Sequence, residues 1–404
     1  MIDLVLVNPN GRIPAPFAAI EPPLWLGLIA GYYLNQGKTV EIVDAEAEDL
    51  TLAQTAHRVA NLEPKATIIV VMGHNPSVSS TPKMVAAERL LRYIPAKLTG
   101  LHPIATNYPD TIRHPFGGFP SVPWELLPMD KYRAHNWHCL ADIEHRGNYG
   151  VLYTSLNCPF SCSYCNVHAL YGDRKWRPRP CSDILTEVRT LADFGVRHLK
   201  IWDELFCLDE DRVLSLCNIL TEHRFNIWAY ARVDTVTERM LTAMKRAGFN
   251  WLAYGFESAL PDVRQQSRKQ FANSKAKRAI DMTRAASINI IANFMFGLPG
   301  ETEDDMKASL EMAMRENFEY VNFSIALPYP GSEWYASLKV KPTDWSAFSQ
   351  FAPNLCAPPA VVKFRKEAFQ TYFRRPEYGA MIRTKFGEKA AAHIQKMVAW
   401  QIPQ

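Results

Sequence analysis

"VLYTSLNCPFSCSYC", residues 151–165, joins two signals in one short stretch. Its first part, VLYTSL (151–156), reads as a β-strand rich in branched and aromatic side chains. Its second part is a loop that carries Cys158, Cys162 and Cys165. The chain has eight cysteines in 404 residues, so three on one loop ask for a reason. A metal centre, disulfides and buried thiols without a ligand are the alternatives.

Working outward toward the C-terminus, the strand pattern recurs. RHLKIW (197–202), NIWAYAR (226–232), WLAYGF (251–256), NIIANFMF (289–296) and YVNFSIAL (320–327) are all strand candidates. Helical segments fall between them near 182–194, 209–222, 237–247, 262–286 and 302–316, with Ser182 and Thr302 as N-cap candidates. Strands and helices in strict alternation predict a partial (β/α)6 TIM-type barrel, whose chemistry sits at the C-terminal ends of the strands. Those ends carry the cysteine loop, then Asp203 and Glu204, then Arg232 with Asp234 close behind. Glu257 and Ser258 come next, followed by the turns GLPGET (297–302) and PYPGS (328–332). Polar, charged and glycine-rich groups thus converge on one end of the barrel.

Toward the N-terminus, IDLVLVN (2–8), TVEIVDA (39–45) and ATIIVVMG (66–73) read as strands. LWLGLIAGYYLNQG (24–37, stopped by Gly37), TLAQTAHRVANL (51–62) and a segment from Pro82 to Leu91 read as helices. That order predicts a short parallel, Rossmann-like α/β domain, with ligand positions at Asn8, Asp44 and the GHNPSVSS turn (73–80). None of these is a glycine-rich phosphate fingerprint. Residues 100–124, dense in Pro and Gly, read as linker. The expected boundaries are 1–110 for the first domain, 111–145 for the linker, 146–335 for the barrel, and 336–404 for a mainly helical C-terminal extension.

Composition sets the compartment. With 48% hydrophobic residues and 11% aromatics the chain has ample material for cores, and a formal charge of +4 does not indicate a nucleic-acid partner. There is no apolar stretch long enough to span a membrane and no signal-peptide pattern at the start. A cytoplasmic location is expected, and a reducing compartment argues against disulfides.

The cysteine spacing can then be weighed. Cys-x3-Cys-x2-Cys is not a usual zinc spacing, although His168, Cys139 or Cys181 could complete a zinc site. Three thiolates on one tight loop suit three irons of a cubane cluster, with the fourth iron left open. Cys181, Cys207, Cys217 and Cys356 are scattered and read as core residues. Cys139, in HNWHC, stands beside two histidines, and the role of the His135–Cys139 segment is unassigned.

CPFSCSYC resembles the radical S-adenosylmethionine (radical SAM) signature, Cys-x3-Cys-x-aromatic-Cys, with Tyr164 in the aromatic slot. Residues from about 150 to 335 are similar to that superfamily, through DELF, ARVD, GFES, GLPGE and PYPGS. With the α/β segment in front, the chain looks like the subclass that carries a cobalamin-binding domain. The resemblance implies a 4Fe-4S cluster on Cys158, Cys162 and Cys165, and S-adenosylmethionine chelating the open iron. It implies Asp203 or Glu204 as acceptors for the ligand's ammonium, Arg232 as partner of a carboxylate, and Glu257 as acceptor for ribose hydroxyls or as balance for Arg232. Ser258, Gly297 and Gly300 would line the ligand, and Tyr164 would offer a face near the adenine. A small-molecule substrate and an external one-electron donor of flavodoxin or ferredoxin type are the implied partners.

The chain departs from the subclass in two ways. It lacks the Asp-x-His-x-x-Gly motif that often supplies a histidine to cobalt. Only one short strand fits between the third helix and the linker, so the first domain reads as truncated and cobalamin as an open question. The reading is a radical SAM enzyme, with cobalamin-dependent methyl transfer as one outcome. A cobalamin-independent oxidation or rearrangement, or a non-catalytic binding protein of the same fold, are the alternatives.

Overall fold

The computed structural model describes residues 2–11, 15–71, 80–100, 120–341, 345–348, 350 and 357–400. Residues 73–79 of the turn with His74, residues 101–119 and Cys356 lie outside the described residues. The first sheet contains β1 (Leu4–Asn8), β2 (Val40–Asp44), β3 (Ala66–Val71) and β4 (Lys97–Gly100), joined through helices α1 (Leu24–Asn35), α2 (Leu52–Asn61) and α3 (Ser80–Leu90). Its order is β2-β1-β3-β4, and every pairing is parallel. The short strand expected before the linker is β4, on the β3 edge.

Helix α1 has no polar face. Its residues from Leu24 to Gly31 are all buried, because it lies between two layers: β1 and β2 on one side and the second domain on the other. Trp25 Nε1 donates to Tyr153 Oη at 3.3 Å across that junction. Gly27 and Gly31 let the strap at 121–122 run close over the helix. A Cβ at Gly31 would collide with the Ser121 carbonyl oxygen, which is backbone and cannot rotate away. Gly31→Ala is expected to cost about 1–3 kcal/mol, the usual range for overpacking, read as a lower midpoint in urea. Gly37→Ala meets no atom but has a positive φ, so its cost would come from backbone strain alone.

The second sheet has the order β12-β11-β10-β9-β8-β5, all parallel. Its strands are β5 (Tyr149–Leu152), β8 (His198–Ile201), β9 (Asn226–Ala231), β10 (Phe249–Glu257), β11 (Asn289–Phe296) and β12 (Tyr320–Ile325). Between β5 and β8 lie a two-stranded ribbon, β6 (Ser155–Leu156) with β7 (Arg177–Pro178), and helices α4 (Val167–Tyr171) and α5 (Cys181–Asp193). Helices α6 (Glu210–Thr221), α7 (Glu238–Arg246), α8 (Pro261–Gln266), α9 (Asn273–Ala285) and α10 (Glu303–Glu316) make the remaining crossovers. This is the expected α/β architecture, an N-terminal parallel sheet followed by an open six-stranded barrel.

Three details differ from the sequence reading. VLYTSL is two strands, because after β5 the chain turns at Tyr153–Thr154 to form the ribbon. The helix expected over 262–286 is two helices, since Arg268 takes φ +54° and the chain there sends Lys269 back into the barrel mouth. Ser182 lies inside the first turn of α5, which has Pro180 at its N-cap. Thr302 caps α10 in a capping box with Asp305, as expected.

The C-terminal part is helical: α11 (Glu333–Ser337), α12 (Pro359–Phe373), α13 (Pro376–Phe386) and α14 (Glu388–Ala399). It covers the open edge strand β12. Tyr372 Oη donates to the Phe318 carbonyl at 2.6 Å, Tyr378 Oη to that of Glu319 at 3.1 Å, and Arg365 Nε to that of Phe323 at 3.0 Å. An exposed strand edge is a pairing hazard, and these contacts remove it.

Candidate active site

The cysteine loop leaves β6 at the C-terminal end of the barrel and is held by backbone contacts. Ser163 N donates to the Ser267 carbonyl and Trp334 N to the Ser163 carbonyl, both at 3.0 Å. Cys165 N closes a turn on the Cys162 carbonyl. Asn157, with φ +70°, turns its side chain onto the N–H of Cys158 at 2.8 Å. His168 Nε2 braces the same loop through Phe160 O at 2.6 Å, while its Nδ1 lies 3.2 Å from Asn157 Oδ1. The carbonyl fixes Nε2 of His168 as a donor, so this imidazole serves the loop's geometry. All seven described cysteines are free thiols, and Cys158, Cys162 and Cys165 are partly exposed. Burial pushes the thiol of Cys158 up to about 11 and that of Cys165 up to about 12. Without a metal these sulfurs stay protonated. Deprotonation needs a cation to compensate, which is how a cluster binds.

Asp203 and Glu204 follow β8 and face the loop. Asp203 is fully buried and accepts from Thr154 N (2.6 Å), Thr154 Oγ1 (2.5 Å) and Ser155 Oγ (2.6 Å). It fixes the turn that launches the ribbon. Glu204 accepts from Asn157 N (2.9 Å) through one oxygen, and its other oxygen lies 3.2 Å from Tyr171 Oη. Both carboxyls therefore have protein partners and act directly on the segment before Cys158.

Glu204 carries a pH signature. Burial raises its carboxyl from 4.5 to about 8. The folded chain then holds this proton more tightly than the unfolded chain does. Its contribution is fully present below about 4.5 and is lost as pH rises toward about 8. For the cluster-free chain, thermal melts across that window should show the wild type losing Tm relative to Glu204→Gln. Parallel curves for the two proteins would contradict this.

Arg232 follows β9 directly and forms a fork with Asp234, both contacts at 2.9 Å. Its guanidinium lies 3.8 Å over the Phe160 ring, with Nη1 4.0 Å from Cys162 Sγ. It pairs with Asp234 and not with Glu257. Glu257, at φ +62° after a bulge in β10, takes Lys269 Nζ at 2.6 Å and Tyr164 Oη at 3.2 Å. Tyr164 packs against the small apolar cluster of Val263, Leu298 and Ala326. Ser258 is buried beside Ser309 Oγ, 3.3 Å away. Gly297 and Gly300 both have positive φ, and the Gly297 N–H reaches Glu301 at 2.7 Å.

Two groups were not singled out from the sequence. Lys269 lies in a stretch whose pattern reads as continuous helix, so nothing local marks it. Glu21, before α1, enters the barrel layer and takes Lys200 Nζ on both oxygens at 2.8 Å and Tyr149 Oη at 2.9 Å. Lys200 is 3% exposed and sits 4.7 Å over the Trp228 ring. A lysine amid strand residues is the one signal that could have flagged it.

The radical SAM superfamily model matches residues 152–313. An uncharacterized methyltransferase of Pyrococcus horikoshii is 23% identical over 93% of this chain and 92% of its own length. The anaerobic magnesium-protoporphyrin IX monomethyl ester cyclase of Rubrivivax gelatinosus is 22% identical over 87% of this chain and 73% of its own. Among solved structures, the radical S-adenosylmethionine methyltransferase TsrM from Kitasatospora setae, with cobalamin and a 4Fe-4S cluster bound, has TM-score 0.59. It is 16% identical, over 83% of this chain and 77% of that one. The cobalamin-dependent enzyme OxsB has TM-score 0.55 at 17% identity, over 79% and 52%.

Proposed function

We propose that this chain belongs to the radical SAM superfamily, whose model matches residues 152–313, and that it is a methyltransferase acting on a small molecule. Superfamily membership carries a 4Fe-4S cluster, S-adenosylmethionine and an outside electron donor with it. The observation that carries the local assignment is the trio of free, partly exposed thiols on one braced loop at the barrel mouth. Soft thiolates are the donors an iron–sulfur cluster requires, so the residues fit. A cluster bound there would supply the electron that cleaves the sulfonium of S-adenosylmethionine.

The protein's own groups then have distinct tasks. Cys158, Cys162 and Cys165 hold the metal. Arg232 keeps a fixed positive charge beside Cys162, which favours the anionic sulfurs. Asp203, Glu204, Asn157 and His168 set the loop's shape. Tyr164 and the Glu257–Lys269 pair are joined to each other beside the loop, and Gly297 and Gly300, at positive φ, shape the turn that follows β11.

Methyl transfer is supported by the relative from Pyrococcus and by the parallel sheet ahead of the barrel, a pairing that matches the fold of TsrM. Cobalamin is proposed on the same likeness. At the ends of β1 and β2, Asn8 and Asp44 are bonded to each other at 2.7 Å, with Tyr132 on Asp44 and Lys83 on Asn8. Among the described residues, these two strand ends present an amide and a carboxyl and no imidazole. The cyclase relative favours a second reading, radical chemistry without methyl transfer.

Anaerobically reconstituted protein, incubated with dithionite and S-adenosylmethionine, separates them. S-adenosylhomocysteine together with cobalamin retained on gel filtration is the expected result. 5′-Deoxyadenosine without S-adenosylhomocysteine would favour the second reading, and neither product would leave a binding protein of this fold.

A further inference from the structure

We propose that His138, Cys139 and His198 form a second metal site, for a borderline-soft divalent cation such as zinc, at the end of the barrel opposite the cysteine loop. The ligand-capable atoms of the three residues lie within 4.8 Å of one another, and all three residues are buried. Cys139 belongs to the short 3-10 segment Trp137–Asp142 that leads into the barrel, and His198 is the first residue of β8. Asp203 lies past the other end of that strand, so at roughly 3.3 Å per strand residue the two sites are separate.

The hydrogen bonds determine which atoms are free. His138 Nε2 lies 3.0 Å from the Asn226 carbonyl oxygen, and His198 Nε2 lies 2.8 Å from that of His145. A carbonyl only accepts, so each Nε2 carries the proton and each neutral ring keeps a bare lone pair on Nδ1. This is the arrangement of metal-bound histidines, whose far N–H is held by a carbonyl. Nδ1 of His138 is buried and has no hydrogen-bond partner, which is costly in an apolar interior unless something binds it. Cys139 Sγ lies 3.6 Å from Nδ1 of His198 and 3.7 Å from its Nε2. Nδ1 of His198 also accepts from Asn226 Nδ2 at 3.0 Å. A cation would displace that bond, and the same amide nitrogen keeps the His138 carbonyl at 3.0 Å.

Two imidazoles and one thiolate suit zinc, with a water completing the four positions. The ion would tie the segment before β5 to the start of β8, across the bottom of the barrel. It would have no part in the chemistry at the mouth.

The test is metal content of the full-length chain after cluster reconstitution and equilibration with zinc, followed by desalting. The wild type is expected to hold about one zinc beside its irons. Cys139→Ala should lose the zinc and keep the iron. Cys158→Ala/Cys162→Ala/Cys165→Ala should lose the iron and keep the zinc. Zinc that follows the loop cysteines, or no zinc in the wild type, would overturn the proposal. Should Cys139→Ala fail to fold, zinc-edge X-ray absorption of the wild type decides. One sulfur at about 2.3 Å with two nitrogens at about 2.0 Å is expected, and a sulfur-only or oxygen-only shell refutes the site.

Discussion

Cys162→Ala is expected to yield a folded chain that holds no 4Fe-4S cluster and forms no product from S-adenosylmethionine. The loss should be complete and not graded, because a cubane held by three thiolates has no spare protein ligand on this loop. Cys158→Ala and Cys165→Ala should behave alike. Stability of the cluster-free variants should stay within about 1 kcal/mol of the cluster-free wild type, since these side chains are partly exposed and carry no packing burden comparable to a core residue. The controls are Cys207→Ala and Cys217→Ala, both buried. They should lower the urea midpoint through a small cavity and leave iron content intact. Iron retained in any one of the three loop variants would remove that cysteine from the ligand set.

Glu21→Ala should cause the largest loss of stability of any single substitution considered, on the order of 3–5 kcal/mol. It strips the Lys200 ammonium of both carboxylate contacts and the Tyr149 hydroxyl of its acceptor. Burial already disfavours the charged form of Lys200, and Glu21 is what opposes that. The rings around this ammonium, Trp228 the nearest, offer about 2 kcal/mol, and they take no hydrogen bond in place of the carboxylate. Deleting both charges, as Glu21→Leu with Lys200→Met, should recover most of the loss, because a buried ion pair is seldom better than an apolar pair of similar volume. Urea midpoints of the three proteins measure this. A double variant as unstable as Glu21→Ala would show that Glu21 acts through something other than the charge of Lys200.

Much of the architecture was legible in the sequence for a physical reason. A strand buried on both faces, such as NIIANFMF, carries its signal locally, and the alternation with amphipathic helices sets parallel order. The cysteine loop was legible because its chemistry lies in residue type and spacing. What failed to show was long-range. Asp203 and Glu204 were marked as polar groups at a strand end, but nothing in DELF says that their oxygens are taken by Thr154, Ser155 and Asn157. The choice of Lys269 by Glu257 depends on a bulge in β10 and a break between α8 and α9, and it leaves Arg232 to its near neighbour Asp234. Backbone irregularities of this kind have no periodicity to read.

The burial of α1 on every side bears on how the chain can be divided. A helix with one wet face can lose its neighbour and survive, whereas Leu24–Gly31 would expose apolar surface whichever half were removed. Fragments cut after the first sheet, or begun at the barrel, should therefore be poor subjects for expression. The same contact restricts exchange of the front half for that of a relative, unless the 121–122 strap and Trp25 travel with it. Here the sheet and barrel inherit as one piece.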